Sequence, residues 1–130
     1  MANSFTDIIA WREAHDFVLR VYGVTKMFPN EEKFGLTSQF QRAAVSIAAN
    51  ISEDYRKLSK VDKLKFMNIA QESLEECRYY IILSHDLGYI NEDKYLELNT
   101  QIEKTSWFLN AYVKGIVENH ALQKEQDAQS

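Results

Sequence analysis

Two sets of side chains in this sequence have the types and spacing to do chemistry. The first is polar and helical. Gln39, Arg42, Ser46, Asn50 and Glu53 recur at steps of three and four beside the apolar positions Leu36, Phe40, Ala43, Ala44, Ile47, Ala48 and Ile51. Such steps gather side chains on one face of a helix. Glu76 stands beside the apolar seam of a later helical stretch, where Arg42 could reach it. We read Gln39, Arg42, Asn50 and Glu76 as a structural polar network, with Arg42 and Glu76 a part-buried ion pair that fixes helix register. Buried charges are kept only when paired. The competing reading is an arginine that faces a ligand. The second set is basic. Arg56, Lys57, Lys60, Lys63 and Lys65 are five of the fifteen basic residues, opposed only by Asp62 and flanked by Tyr55. Lysine on a phosphate backbone releases counterions, and a tyrosine can stack on a base. These six are the candidate nucleic-acid contacts. The plainer account is a solvated link, because charge runs commonly serve solubility.

Other constellations are missing from the sequence pattern. A di-iron bundle needs paired Glu-x-x-His elements. None of His15, His85 and His120 has a carboxylate three residues before it. The four glycines are isolated, so no phosphate-cradling loop is present. Ser46 and Ser73 have no histidine base at a recognisable spacing. Glu75 and Glu76 are adjacent and point in different directions on a helix. The sequence therefore predicts no enzyme, no cofactor, no metal and no small-molecule substrate. A net charge of -4 argues against general affinity for nucleic acid, but it permits a local basic patch. Cys77 is the only cysteine and lies in an apolar helical pattern, as a small buried hydrophobe would. The start, MANSFTDIIAW, lacks a basic segment followed by a long apolar run. No stretch approaches ~18 uninterrupted apolar residues. The expectation is a cytoplasmic protein without a membrane partner.

The elements that must position these groups are helices. One proline and four glycines in 130 residues leave few breaks. Four helices are expected, at about 6–28, 36–55, 60–87 and 91–119, followed by a frayed or disordered tail at 120–130. The first has a heptad seam of Trp11, Ala14, Val18, Val21, Thr25 and Phe28, is capped by Thr6 and ends at Pro29. Thr37 or Ser38 caps the second, and Phe34 folds back before it as a plug. Ser59 caps the third, which Gly88 ends. Asn91 caps the fourth, whose seam is Leu98, Ile102, Thr105, Leu109, Tyr112 and Ile116. Short links make this one domain over 1–119, an all-α antiparallel up-down-up-down four-helix bundle. Phe17, Tyr22, Tyr79, Trp107 and Phe108 exceed what the seams need. Surplus apolar surface marks interfaces, so these five form a candidate oligomer contact.

The ordered set Gly35-Leu36-Thr37-Ser38-Gln39, Arg42-Ala43-Ala44-Val45-Ser46-Ile47, Asn50-Ile51, Glu53 and Tyr55-Arg56 resembles the four-helix-bundle proteins of the 23S rRNA intervening-sequence family. Trp11, Ala14, Val21-Tyr22, Phe28-Pro29, Phe66, Ile69-Ala70, Ser73-Leu74, Glu76 and Leu87-Gly88-Tyr89 extend the resemblance. It implies a homo-oligomer, a pentameric ring, and association with RNA or a ribonucleoprotein. The expected function is a non-catalytic scaffold. The alternative is an accessory protein to a reverse transcriptase of a diversity-generating retroelement. Those relatives are markedly basic, and this chain is acidic. Where the family has Ala-Glu-Gly after its Asn-Ile, this chain has Ser52-Glu53-Asp54. Without that glycine the helix runs on, or Asp54 holds the turn with its short side chain.

Overall fold

The computed structural model describes residues 4–129, with side chains described for 4–119. Four α-helices follow one another: α1 Ile9–Thr25, α2 Leu36–Arg56, α3 Lys60–Asp86 and α4 Glu92–Gln129. Short 3-10 turns lie at Phe5–Asp7 and Asn30–Glu32, and no strand occurs among the described residues. α4 continues as helix to Gln129, past its expected end at 119, and the side chains from 120 onward lie outside the described residues.

Local chemistry sets most boundaries. Ser59 Oγ accepts the Asp62 N–H at 3.1 Å and starts α3. Asn91 Oδ1 accepts the Lys94 N–H at 2.9 Å and starts α4. Each satisfies a donor that the first helical turn leaves unpaired. α3 stops at Gly88, whose φ of 76° suits a residue without Cβ. There the Tyr89 N–H donates to the Ser84 carbonyl and the Gly88 N–H to that of His85, the paired bonds of a glycine cap.

Other boundaries differ from expectation. α1 ends at Thr25, before Pro29, because Met27 and Phe28 donate back three residues in a tight turn. Thr6 lies in the first 3-10 turn, which Ser4 caps. Neither Thr37 nor Ser38 caps α2. Glu32 does that work from the preceding turn: Oε1 accepts the Leu36 N–H at 3.2 Å, and Oε2 accepts the Tyr89 hydroxyl at 2.9 Å. Phe34 is not a plug; it is 89% exposed. Phe28 and Tyr89, with ring centroids 5.2 Å apart, close that end instead.

Each helix packs on its chain neighbours and α1 closes on α4; across the diagonals the described backbones stay apart, and a hydrogen bond from Tyr112 to Asp54 joins α4 to α2. This is a helical bundle, compatible with an up-down-up-down course. Phe17, Phe40, Ile47, Ile51, Met67, Ile81, Leu98, Ile102 and Leu109 fill its centre. Burying each such side chain contributes ~1.5–3 kcal/mol. The buried row of α1 is Ala10, Ala14, Phe17, Val21, Val24 and Thr25, so Ala14, Val21 and Thr25 of the expected seam face inward while Phe17 takes the place expected of Val18. Trp11 and Val18 are only partly buried at its flank. Arg20 ties α1 to α4 through Glu97 at 2.6 Å. Lys94 and Arg20 hold the Glu97 carboxyl below its usual range.

Candidate functional site

Small side chains bring α2 and α3 together. Ala43, Ser46 and Ser73 line a shallow groove of about 410 Å³, with Gln39, Arg42, Glu76 and Tyr80 at its sides. Ser73 Oγ donates to Ser46 Oγ at 2.8 Å. Asn50 Nδ2 donates to the Ser46 carbonyl at 2.7 Å and to its hydroxyl at 3.0 Å. Tyr80 donates its hydroxyl to Gln39 Oε1 at 3.2 Å. Burial, with Glu76 nearby, raises the Tyr80 pKa. The expected ion pair is not part of this network. Arg42 and Glu76 are both exposed, and no ion pair joins them among the described residues. The helices approach through serine and alanine, leaving no interior volume for two long side chains. Their charged ends stay in water, where pairing gains little.

The basic link does not act as one patch. Lys57 Nζ lies over the Phe66 ring, 4.9 Å from its centroid. Lys63 Nζ turns inward to the Asp54 carbonyl at 2.9 Å and stands 4.0 Å from Asp54 Oδ2. Arg56 and Lys65 are exposed, and Lys60 and Tyr55 are partly buried. Arg56, Lys60 and Lys65 make no ion pair among the described residues.

Beneath this link is a charge that no motif announces. Asp54, in the last turn of α2, is 0% exposed. Tyr112 of α4 donates its hydroxyl to Asp54 Oδ2 at 2.9 Å. Oδ1 has no hydrogen-bond partner among the described residues. Burial raises the Asp54 pKa against the opposing influence of Tyr112 and Lys63. Burial, followed by the Asp54 charge, pushes the Tyr112 hydroxyl well above its usual value. The signal was in the spacing. Phe40, Ala44, Ile47, Ile51 and Asp54 follow steps of four, three, four and three, so the carboxylate occupies the next inward position. The helix runs on through residue 54 and ends at Arg56.

Of the candidate interface residues, Phe17 is wholly buried and cannot serve as a contact. Its position in the α1 core row explains this. Phe108 is partly buried against the core, edge-on to Trp107. Tyr22, Tyr79 and Trp107 are exposed, Trp107 by 67%. His15 stacks on Trp11, and His85 stacks on Tyr95 and is paired with Glu92. His120 lies outside the residues with described side chains. Among the described residues no group of three or more His, Cys, Asp or Glu could hold a metal ion. No described helix is long and apolar enough to cross a membrane.

The family model for the 23S rRNA-intervening sequence protein matches residues 6–111. The chain belongs to this family. A crystal structure similar to this intervening-sequence protein is that of a protein of unknown function from the S23 ribosomal protein family of Bacteroides thetaiotaomicron. The two are 27% identical with a TM-score of 0.74, over 82% of this chain and 96% of the other. No curated protein matches. The matched span includes both the α2–α3 groove and Asp54, and stops one residue short of Tyr112.

Proposed function

We propose that this intervening-sequence protein is a non-catalytic scaffold that assembles with copies of itself and associates with RNA in the cytoplasm. The exposure of Tyr22, Tyr79 and Trp107 carries the reading. Large apolar groups facing water favour a partner surface. Leu19, Val45 and Ile82 add apolar area on the outer faces of α1, α2 and α3. In the five-fold ring that family resemblance suggests, one contact repeats around an axis. Each copy would contribute its own basic link, so weak phosphate contacts would add through avidity. The groups with nucleophilic potential favour a non-catalytic role. Cys77 is buried, and burial pushes its thiol pKa far above the usual value, away from the reactive thiolate.

Light scattering tests assembly. The wild type should show a multiple of 15.2 kDa, and Trp107→Glu should lower that mass. A wild-type mass of one subunit at working concentration overturns the scaffold. RNA retention at low and high salt tests the second part. Replacing Arg56, Lys60 and Lys65 by Glu should weaken binding and reduce its salt slope by ~1 for each phosphate no longer neutralised. Unchanged retention removes the basic link from the proposal.

A further inference from the structure

At the end of the bundle that carries the basic link, a pocket of about 550 Å³ opens between the link and α4. Ile8 and Ile116 give it apolar walls, and Tyr55 and Tyr112 bring two aromatic rings to it. Leu58 lies at its edge and is 100% exposed. The cations here are not equivalent. Lys63 is engaged by the Asp54 carbonyl, whereas Lys60 lines the pocket without an ion pair among the described residues. The Asp54 charge is covered, because the carboxylate is wholly buried behind Tyr112 and Lys63. An incoming anion therefore meets Lys60 rather than Asp54. The hydrogen bond to Asp54 also restrains the Tyr112 ring before any ligand arrives.

Gly115 supplies an independent observation. It lies inside α4 and lines this pocket. Glycine within a helix costs ~1 kcal/mol against alanine. Neither its backbone nor its packing requires glycine: its φ is not positive, and an added Cβ would meet nothing within 4 Å. The missing side chain does have one consequence, which is to leave the pocket wall open.

The geometry points to a nucleotide site: the pocket takes one unstacked base between Tyr55, Tyr112 and the apolar walls, with the adjoining phosphate on Lys60. This deepens the RNA reading above and rests on it. Single-stranded RNA offers such a base, and exposed Arg56 and Lys65 stand on the same link for flanking phosphates. Stacking on aromatic side chains tolerates any base, so the site selects strand state more than sequence.

The test uses the full chain, its Gly115→Leu variant and its Lys60→Glu variant. The probes are a fluorescent single-stranded decanucleotide, the same sequence as a duplex, and uridine monophosphate. Gly115→Leu fills open space, and circular dichroism and thermal melting should show an intact fold. It should weaken single-strand binding about tenfold and leave duplex binding unchanged. Lys60→Glu should weaken single-strand binding as well. If the wild type binds RNA and Gly115→Leu binds it equally well, the pocket is overturned and the RNA reading stands. If the wild type binds only the mononucleotide, and Gly115→Leu abolishes that, the nucleotide site stands and the RNA reading falls. Binding of none of the three probes by the wild type overturns both.

Discussion

In the α2–α3 groove, Arg42 and Glu76 stand at the rim with their charges in water. Near the other end of α2, Asp54 is wholly buried, with one oxygen bonded to Tyr112 and the other unpaired among the described residues. The same helix thus exposes a long charged side chain near its start and buries a short one near its end. Length and angular position decide between them. Arginine and glutamate beside a seam can extend past the neighbouring helix and keep their charges hydrated. Aspartate three residues after Ile51 continues the inward row and has no stem with which to escape. Its position in the last turn of α2 adds the unfavourable end of the helix dipole. The two regions therefore make different demands. The groove holds hydroxyl and amide groups that satisfy each other, and the far end holds a charge that depends on one phenol and one lysine.

Removing that phenol should separate the regions most sharply. Tyr112→Phe leaves Asp54 without its hydrogen-bond donor, and chemical unfolding at neutral pH should show a loss of ~2–3 kcal/mol. A loss within experimental error would mean that the carboxylate is hydrated and that the contrast with the groove is false. Changing the charge while keeping the shape should give a smaller, pH-dependent effect. The folded-state pKa of Asp54 lies above its ordinary value of 3.8, chiefly because of burial. The folded chain therefore holds this proton more tightly than the unfolded chain. The group favours folding most below the ordinary value, and this contribution is lost as pH rises through the folded-state pKa. Wild-type stability should accordingly fall relative to Asp54→Asn as pH rises past the ordinary value of 3.8. Parallel stability curves would refute the burial effect. The smallest effect belongs to the groove. Arg42→Met, Glu76→Leu and the double variant should show a coupling below ~0.5 kcal/mol, as expected for exposed groups. A larger coupling would make the two regions alike.

Much of the fold was legible because local rules wrote it. The Ser59 and Asn91 caps and the Gly88 stop each rest on chemistry within a few residues. The row from Leu98 to Leu109 was likewise plain from spacing, and it is buried as expected. The start of α2 at Leu36 was legible but its cap was not, because Glu32 acts from the preceding turn while also receiving Tyr89 from after α3. Nor could the heptad pattern alone distinguish Phe17 from Val18 as the inward residue of α1. Adjacent residues on a helix differ by only about 100°, and the packing of Phe17 near Phe40, at 6.4 Å between ring centroids, selected one. For the candidate site, the sequence named the basic residues but not their division of labour. Lys63 is drawn away by a carbonyl on another element, and Lys57 by an aromatic ring on α3.

By itself the sequence determined four helices, most of their ends and the bundle they build, since periodicity and capping act along the chain. Only the tertiary structure decided which charges are dry. That choice depends on how closely two helices approach and on what the third and fourth place opposite them. Serine and alanine between α2 and α3 left Arg42 and Glu76 outside. Tyr112, fifty-eight residues on, gave Asp54 a partner inside.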